Sequence, residues 1–334
     1  MKRLKVFMHK GPSGLAGASY RDFPEIPLKE RQVRVQLKCA GLNHRDLFVI
    51  SRRNEEEPPI ILGSDGAGVI TEIGEETNGF TIGDEVVITP SLGWMQKSPA
   101  PPSDFRILGF PDHGTFSESI VLPIENIEYK PKYLSWEEAG VMPLAALTAY
   151  RALFTRGQAA EGDTVFIPGI GSGVAIFLLQ FAKAIGAKVI VSSRSGEKRE
   201  QAIKLGADAA IDTNEDWGVQ LQQEKADLVI DSIGTATFSR SLEMLNPGGT
   251  MVTFGATTGD EIGINLRQFF YGQFNLLGTT MGSHDEFREM LAFITKHRIK
   301  PVVDHVFPLS ETQKAFERMD EGKQFGKIAI KIAE

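Results

Sequence analysis

Short runs of alternating apolar and polar residues dominate the first third of the chain. Four runs predict strands, because their side chains alternate or are β-branched and turn residues bound them: residues 33–37, 66–70, 85–89 and 117–121. Residues 91–112, by contrast, are rich in Pro, Gly and Ser and predict an irregular surface lobe. The pattern up to about residue 126 is therefore typical of a β-rich module.

From residue 164 the pattern changes to strand-like apolar runs separated by helical periodicity. Helices are predicted over residues 197–205, which Gly206 ends, and over residues 238–245, which residues 246–249 end. The strand-like runs are residues 165–167, 188–192, 209–211, 228–230, 250–254 and 276–277. Six short strands joined by crossover helices predict a doubly wound parallel sheet of the Rossmann type, so the predicted fold class is α/β.

Capping boxes mark the starts of two helices, with Ser135 followed by Glu138 and Ser283 followed by Glu286. The second of these helices is amphipathic and is predicted to run to residue 297. The end of the chain then predicts a strand, a helix and a further strand at residues 302–306, 310–319 and 327–332.

Residues 164–182 contain no charged side chain and are long enough to resemble a membrane span. Pro168, Gly169, Gly171 and Gly173 interrupt the first half of this segment. A buried strand, a tight turn and a buried helix therefore describe it better than a transmembrane helix.

Composition narrows the possible partners. The 334 residues suit two domains of ordinary size. Lys and Arg total 36 against 43 for Asp and Glu, a net charge of −7 with no basic stripe, which argues against nucleic acid or a membrane as partner.

The single cysteine, Cys39, excludes an internal disulfide and an all-cysteine zinc site, and we expect it to pack in a strand. No signal-peptide pattern is present, so a cytoplasmic location is expected.

A glycine-rich turn joins the strand at residues 165–167 to the apolar helix that follows it. This order suits a dinucleotide pyrophosphate, because small residues let the backbone approach the phosphates and the helix N-terminus offers unpaired N–H donors. The residues predicted to bind the cofactor here are Gly171, Ser172, Gly173 and Val174. The alternative is a tight turn without a ligand.

The end of the second strand of the predicted sheet indicates which cofactor is bound. An NAD-binding unit normally offers Asp or Glu there to the ribose 2′-hydroxyl. This chain offers Ser193 and Arg194, with Lys198 and Arg199 close behind, and Glu197 comes late. Hydroxyl, guanidinium and ammonium donors favour a 2′-phosphate, so the sequence predicts NADP(H). The alternative is that Arg194 and Lys198 belong to a solvated helix start.

Several motifs, in this order and spacing, resemble the medium-chain dehydrogenase/reductase superfamily over essentially the whole chain. They are residues 41–46, 62–69, 79–86, 145–153, 205–208 and 325–328. The resemblance implies a GroES-like catalytic domain over residues 1–127 and a Rossmann NADP-binding domain over residues 128–280. It also implies that residues 281–334 return to the catalytic domain, and that two copies form a homodimer.

The zinc alcohol dehydrogenases of this superfamily hold a catalytic metal on Cys, His and a further Cys. At the corresponding positions this chain has Asn43, Ser64 (followed by Asp65) and Leu144, none of which is a suitable zinc ligand. The four-cysteine structural lobe has no counterpart either, since residues 91–112 contain no Cys. The pattern therefore resembles the zinc-lacking quinone oxidoreductase-like branch, and no metal is expected.

The resemblance also assigns residues to the nicotinamide end of the cofactor. It implies that Asn43 and Thr148 lie near the nicotinamide, that Phe254 and Gly255 line its other side, and that Lys327 reaches the cofactor. Asn43, Asp46 and Thr148 are the catalytic candidates. Two alternatives stay open: Asn43 is a turn residue that makes local backbone bonds, and Asp46 is structural and binds backbone or an arginine.

The residues that follow Asn43 are harder to assign from sequence. His44 and Arg45 share its turn and either touch phosphate or substrate or are exposed. Arg52 and Arg53 either line the mouth of a cleft or belong to a solvated loop. Related reductases often carry a tyrosine near residues 51–54, and its absence removes the obvious proton donor.

A metal-free reductase is the predicted function. Without a Lewis acid, hydride delivery from NADPH favours a small electrophilic acceptor that spreads the developing charge itself, such as a quinone or an α,β-unsaturated carbonyl. One alternative is an NADPH-dependent aldehyde or ketone reductase that uses Asn43 and water as donors. Another is an NADPH-binding sensor without turnover.

Overall fold

The computed structural model describes residues 2–77 and 79–333. Its internal contacts divide the chain into two compact units, Met1–Ala145 with Gly282–Glu334 and Ala146–Met281. The domain boundaries predicted from the sequence place residues 128–145 in the nucleotide-binding domain, whereas the internal contacts group them with the first unit. The reason is close packing: a Cβ added to Gly140 would lie only 2.7 Å from the carbonyl oxygen of Cys39.

The first unit is rich in strands, as its alternating pattern predicted. Its described strands are β1 (Arg3–His9), β2 (Ala18–Pro24), β3 (Gln32–Leu42), β4 (Ile60–Ile61), β5 (Asp65–Ile73), β6 (Glu85–Ile88), β7 (Ser91–Leu92), β8 (Arg106–Leu108), β9 (Pro111–Asp112), β10 (Ser119–Pro123), β11 (Ile127–Tyr129), β18 (Val303–Pro308) and β19 (Lys327–Lys331). Its helices are α1 (His44–Arg52), α2 (Trp136–Val141), α9 (His284–His297) and α10 (Thr312–Asp320), and α3 (Pro143–Tyr150) contains the boundary.

The longest strand, β3, is the centre of the first unit. It pairs antiparallel with β5 and β10, and its end from Cys39 to Leu42 pairs with β19 near the end of the chain. Apolar residues of β3, β19, α1 and α10 form a common core that includes Leu42 and Phe316, together with Phe116. Because β3 ends at Leu42, this pairing brings residues 43–46 and Lys327 to the same edge of the sheet.

The lobe at residues 91–112 is more regular than its composition predicted. Strands β7, β8 and β9 form a small sheet of their own, and Leu92 and Leu108 pack in the core of the unit. Trp94 is 1% exposed and packs edge-on against Phe105. Buried side chains therefore hold this lobe in place despite its many Pro, Gly and Ser residues.

The second unit, all of whose residues are described, contains the predicted Rossmann sheet. Its strands are β12 (Thr164–Ile167), β13 (Lys188–Ser193), β14 (Ala209–Asp212), β15 (Ala226–Asp231), β16 (Leu245–Thr253) and β17 (Asn275–Gly278). They are parallel in the order β14-β13-β12-β15-β16-β17, which is the doubly wound order. The helices are α4 (Gly173–Ala184), α5 (Gly196–Lys204), α6 (Trp217–Gln220), α7 (Phe238–Glu243) and α8 (Leu266–Tyr271), with a π-helix at Arg151–Arg156.

One boundary in the second unit was predicted wrongly. Helix α7 ends at Glu243, two residues before its predicted end, and residues 246–249 form an unpaired bulge within β16 between the paired residues Leu245 and Thr250. The uncharged segment at residues 164–182 forms β12, a turn and part of α4, as predicted. In the described part of the chain, no helix combines the length and apolarity that crossing a membrane requires.

Candidate active site and cofactor site

Asn43 is the residue that precedes α1, and Asp46 lies in the first turn of that helix. The backbone N–H of Asn43 donates to Oδ2 of Asp46 (2.9 Å), and the N–H of Asp46 donates to the carbonyl of Asn43 (2.9 Å). Asp46 is 1% exposed, and its burial raises the pKa of the carboxyl to about 6. These contacts make Asp46 a group that fixes the start of the helix and, through it, the backbone of Asn43.

Asn43, Asp65 and Lys327 form a buried polar group that we call the Lys327 cluster. The Lys327 ammonium donates to the carbonyl of Leu42 (2.9 Å), to Oδ1 of Asn43 and to Oδ2 of Asp65 (3.0 Å). Nδ2 of Asn43 donates to the same Asp65 oxygen (2.9 Å). All three protons of the ammonium therefore have acceptors, and both ends of the Asn43 amide are oriented.

The second oxygen of Asp65 is also occupied. Oδ1 accepts from the backbone N–H of Leu144 (2.6 Å). Burial raises the pKa of Asp65, and the Lys327 ammonium opposes that effect. Two of the positions compared with zinc ligands, Asn43 and Leu144, thus meet at Asp65 through hydrogen bonds, and Asp65 also forms an ion pair with Lys327.

The donor set around Asp65 does not fit a zinc ion. An amide, a hydroxyl and a backbone N–H replace the thiolates and imidazole that zinc prefers. Within residues 2–77 and 79–333, no three His, Cys, Asp or Glu side chains are grouped to hold a metal ion. Cys39 is 1% exposed within β3, as predicted, and burial raises the pKa of its thiol.

The side chains after Asn43 differ in exposure. His44 is exposed, whereas Arg45 is half-buried and contacts Ser64. Arg52 is exposed, but Arg53 is 4% exposed, pairs with Glu57 (2.9 Å) and lies over the ring of Phe110. The solvated-loop alternative is therefore wrong for Arg53, because an ion pair and an aromatic ring compensate for its burial.

The glycine turn of the second unit has the geometry that a dinucleotide needs. Gly171 has φ of 128°, a conformation that L side chains rarely adopt, and a Cβ there would lie 2.9 Å from Cδ of Lys198. Ser172 precedes α4, and its hydroxyl accepts from Ala175 N (3.2 Å). Gly173 and Val174 form the first turn of α4, so their N–H groups have no acceptor within the helix. The turn therefore offers backbone N–H donors for phosphate.

The side chains at the end of β13 are divided between two roles. Arg199 donates to the carbonyl of Ser193 (2.6 Å) and pairs with Asp212 (2.8 Å), so the nearest acid is already neutralised. Arg194 is exposed and has no ion-pair partner in this fully described unit. Lys198 lies over Gly171. The structure thus brings Ser193, Arg194 and Lys198 to the carboxyl edge of the sheet, beside the glycine turn.

The remaining predicted cofactor residues lie elsewhere in the two units. Phe254 and Gly255 follow β16 at the same carboxyl edge of the sheet, and a Cβ on Gly255 would lie 2.6 Å from the carbonyl oxygen of Ser232. Thr148 is 5% exposed within α3 in the second unit. Asn43 and Lys327 belong to the first unit, where they contact each other.

The site residues predicted from the sequence did not include Asp65, and Arg45 was named only as a residue that either touches phosphate or substrate or is exposed. Asp65 begins β5, where a carboxylate stands among buried small and apolar residues. A charge in such a strand needs a partner, which was the available signal. Arg45 gave no comparable signal, because an arginine in a first helical turn is usually exposed.

The comparisons with known proteins agree with this architecture. Residues 29–132 match the family model of the alcohol dehydrogenase GroES-like domain, and residues 173–296 match that of zinc-binding dehydrogenases. A zinc-type alcohol dehydrogenase-like protein of Schizosaccharomyces pombe is 35% identical over 98% of this chain and 99% of its own length. The chain belongs to the medium-chain dehydrogenase/reductase superfamily. The predicted fold, a Rossmann sheet with a GroES-like module, is confirmed.

Two further proteins that are similar to this chain are oxidoreductases of different types. A quinone oxidoreductase of Pseudomonas aeruginosa is 27% identical over 98% of this chain and 99% of its own length. The crystal structure of an NAD-dependent alcohol dehydrogenase is similar with a TM-score of 0.91 at 32% identity, and the match covers 98% of this chain and 100% of that one. This chain is therefore a member of an oxidoreductase superfamily.

The burial of Asp46 predicts a pH-dependent effect of the variant Asp46→Asn. The folded-state pKa of about 6 lies above the ordinary value of 3.8, so the stability that Asp46 contributes is present below pH 3.8 and is lost as pH rises through 6. An asparagine does not titrate, so its contribution to the free energy of unfolding does not change over this range. We expect the variant to gain up to about 3 kcal/mol relative to wild type between pH 4 and pH 7.5.

Thermal unfolding at those two pH values measures this gain. Arg45 and Lys327 oppose the raised pKa of Asp46 and Asp65 reinforces it, so all three stay unchanged in the test. The exposed Asp320→Asn serves as control. If the stability difference between wild type and Asp46→Asn were the same at both pH values, the prediction would be contradicted.

Proposed function

We propose that this protein is an NADPH-dependent, zinc-independent oxidoreductase that delivers hydride to a quinone or an α,β-unsaturated carbonyl. The observation that carries the proposal is the Lys327 cluster, in which an ion pair stands where the zinc enzymes of the superfamily hold metal. The quinone oxidoreductase of Pseudomonas aeruginosa supports the same class of acceptor. An acceptor that delocalises charge itself needs only hydrogen-bond donors to complete its stabilisation.

The residues of the second unit fit NADP(H). Gly171, Gly173 and Val174 leave room and N–H donors for the pyrophosphate, while Arg194 and Lys198 offer cations to a 2′-phosphate. When bound, the cofactor supplies a hydride from its nicotinamide. The protein would contribute orientation and a fixed set of dipoles around the acceptor.

In the first unit, the Lys327 cluster would orient the Asn43 amide. Lys327 binds the amide oxygen, and Nδ2 donates to Asp65 (2.9 Å) and, at 3.5 Å, to the carbonyl of Gly41, so the amide of Asn43 is held in one orientation. Asp46 fixes the backbone of the same residue. We propose that Asn43 and Thr148 line the nicotinamide and that Asp46 positions Asn43 without exchanging protons with the acceptor.

A cofactor-oxidation assay tests the function. NADPH consumption is measured with 9,10-phenanthrenequinone, 2-cyclohexenone and benzaldehyde, and zinc is measured in the same preparation. Turnover of the quinone or the enone is expected, with less than one zinc per chain. Stoichiometric zinc that is needed for turnover would contradict the proposal.

A second candidate is an NADPH-dependent aldehyde or ketone reductase, which the 32% identical NAD-dependent alcohol dehydrogenase favours. Benzaldehyde reduction without quinone or enone reduction would support it. Tight NADPH binding without turnover of any acceptor would instead support a sensor.

We also propose a homodimer formed through the edge of the Rossmann sheet. Strand β17 lies at one edge of the sheet. Helix α8 directly precedes β17 in the sequence, and its side chains Leu266, Phe270 and Tyr271 are 72%, 53% and 71% exposed. An exposed strand edge next to apolar side chains is a ready site for pairing with another chain.

The double variant Leu266→Lys with Tyr271→Lys is expected to convert the dimer into a monomer, because two buried charges without partners would oppose association. Light scattering after size-exclusion chromatography measures the mass. Val219→Lys is the matched control, since Val219 is 70% exposed on α6 and lies outside this edge. A monomeric wild type, or a double variant that stays dimeric, would contradict the proposal.

A further inference from the structure

Arg45 is held in place on one side only. Its Nη1 donates to Oγ of Ser64 (2.7 Å) and to the carbonyl of Leu108 (3.0 Å), and Nη2 lies 3.5 Å from the carbonyl of Phe110. Ser64 is fully buried and donates its own proton to Leu108 O (2.7 Å). The guanidinium plane is therefore fixed, while Nε and one proton of Nη2 keep no partner in the described chain.

The charge of Arg45 is not neutralised by contact. No carboxylate in the described residues forms an ion pair with it, because Asp46 binds Asn43 N and Asp65 binds Lys327. The buried arginines of the same unit behave differently: Arg34 pairs with Glu72 (2.8 Å) and Arg53 pairs with Glu57 (2.9 Å). A half-buried cation with a fixed plane and free donors is arranged for an anionic or strongly polarised ligand.

We infer that Arg45 binds the acceptor oxygen that becomes negative during reduction. The inference rests on the proposed function, which puts the acceptor beside Asn43, two residues earlier in the chain. It specifies the substrate class as compounds whose hydride-accepting carbon is conjugated to a carbonyl.

For an enone, the reduction would take place in two steps, hydride transfer and then protonation. The acceptor forms a C–H bond at its β-carbon with the hydride from NADPH, which is oxidised to NADP⁺. The electrons of the C=C bond move toward the carbonyl oxygen, which becomes an enolate oxygen bound by Arg45. Water then supplies the proton that gives the saturated ketone and leaves hydroxide to the solvent buffer.

The first test compares Arg45→Met and Arg45→Lys with wild type. Arg45→Met is expected to lower kcat/KM for the best quinone or enone by about 10²- to 10³-fold, the usual loss for an oxyanion donor. Arg45→Lys keeps the charge but loses the fork, so it should recover part of the rate. Arg288→Met is the control, because Arg288 is a surface arginine paired with Glu128 (2.5 Å). Unchanged kcat/KM in a folded Arg45→Met would overturn the inference.

The second test needs no turnover. 4-Nitrophenol is titrated with the protein in saturating NADP⁺, and its absorbance reports how much of the bound phenol is ionised. Wild type is expected to lower the pKa of the bound phenol by about one unit, which is a tenfold increase in its ionisation constant. Arg45→Met is expected to abolish this effect. Weak or unshifted binding to wild type would overturn the role of Arg45. A shift that depends on Arg45, without reduction of any quinone or enone, would keep the oxyanion site and reject the proposed function.

Discussion

Replacing Lys327 by methionine is expected to lower the free energy of unfolding by about 3–5 kcal/mol. Methionine has nearly the length of lysine but no charge, so the variant leaves Asp65 fully buried beside Asn43 without a counter-ion. The carboxylate would keep only the N–H donors of Asn43 and Leu144. Chemical denaturation of the wild type and the variant measures the loss.

The double variant Lys327→Met with Asp65→Asn separates charge from packing. An asparagine at position 65 still accepts from Leu144 N and needs no counter-ion, so we expect it to recover much of the loss. A double-mutant cycle gives the coupling directly. Lys331→Met is the control, since Lys331 is exposed on the same strand and should change stability by no more than about 0.5 kcal/mol. A double variant that is as unstable as Lys327→Met alone would contradict the assigned ion pair.

Local pattern predicted most of the fold. The capping boxes at Ser135 and Ser283 form as predicted, because each depends on residues three positions apart. The strands of both units follow side-chain alternation or apolar runs, and the doubly wound order follows from their alternation with helices. The glycine turn before α4 was predicted for the same reason, since strand, turn and helix are contiguous in the sequence.

The polar interior of the first unit could not be predicted in this way. Lys327 and Asp65 are separated by 262 residues, and the pairing of β3 with both β19 and β5 brings them together. The sequence left Arg53 as part of a solvated loop or of a cleft mouth, yet its side chain is buried beneath two more exposed partners, Glu57 and the ring of Phe110. Residues 246–249 contain the turn signals Pro and Gly, and they form an unpaired bulge inside β16, where Gly248 has φ of 82°.

The two cations of the candidate active site have different consequences. Lys327 has three acceptors and holds other groups in place, whereas Arg45 retains donors without partners. Loss of Lys327 is therefore expected to act first on stability, and loss of Arg45 on the rate and on ligand ionisation. Binding of the cofactor 2′-phosphate is expected to depend instead on Arg194 in the second unit.

Replacing Arg194 by glutamate is expected to weaken NADPH binding by about 100-fold or more. A hydrogen bond between charged groups contributes about 1.5–3 kcal/mol, which is about 10- to 100-fold in affinity, and the new carboxylate would also repel the 2′-phosphate. NADH lacks that phosphate, so its dissociation constant should change little. Calorimetric titration of both cofactors measures the difference.

Arg199→Gln is the matched control for this prediction. Arg199 lies in the same helix start but is already bound to Asp212 and to the carbonyl of Ser193, so its loss should not discriminate between the two cofactors. Arg194 has no such partner and is exposed at the carboxyl edge of the sheet. An equal loss of affinity for NADPH and NADH in Arg194→Glu would mean that Arg194 does not contact the 2′-phosphate. Preferential loss of NADPH would establish that the end of β13 determines the cofactor.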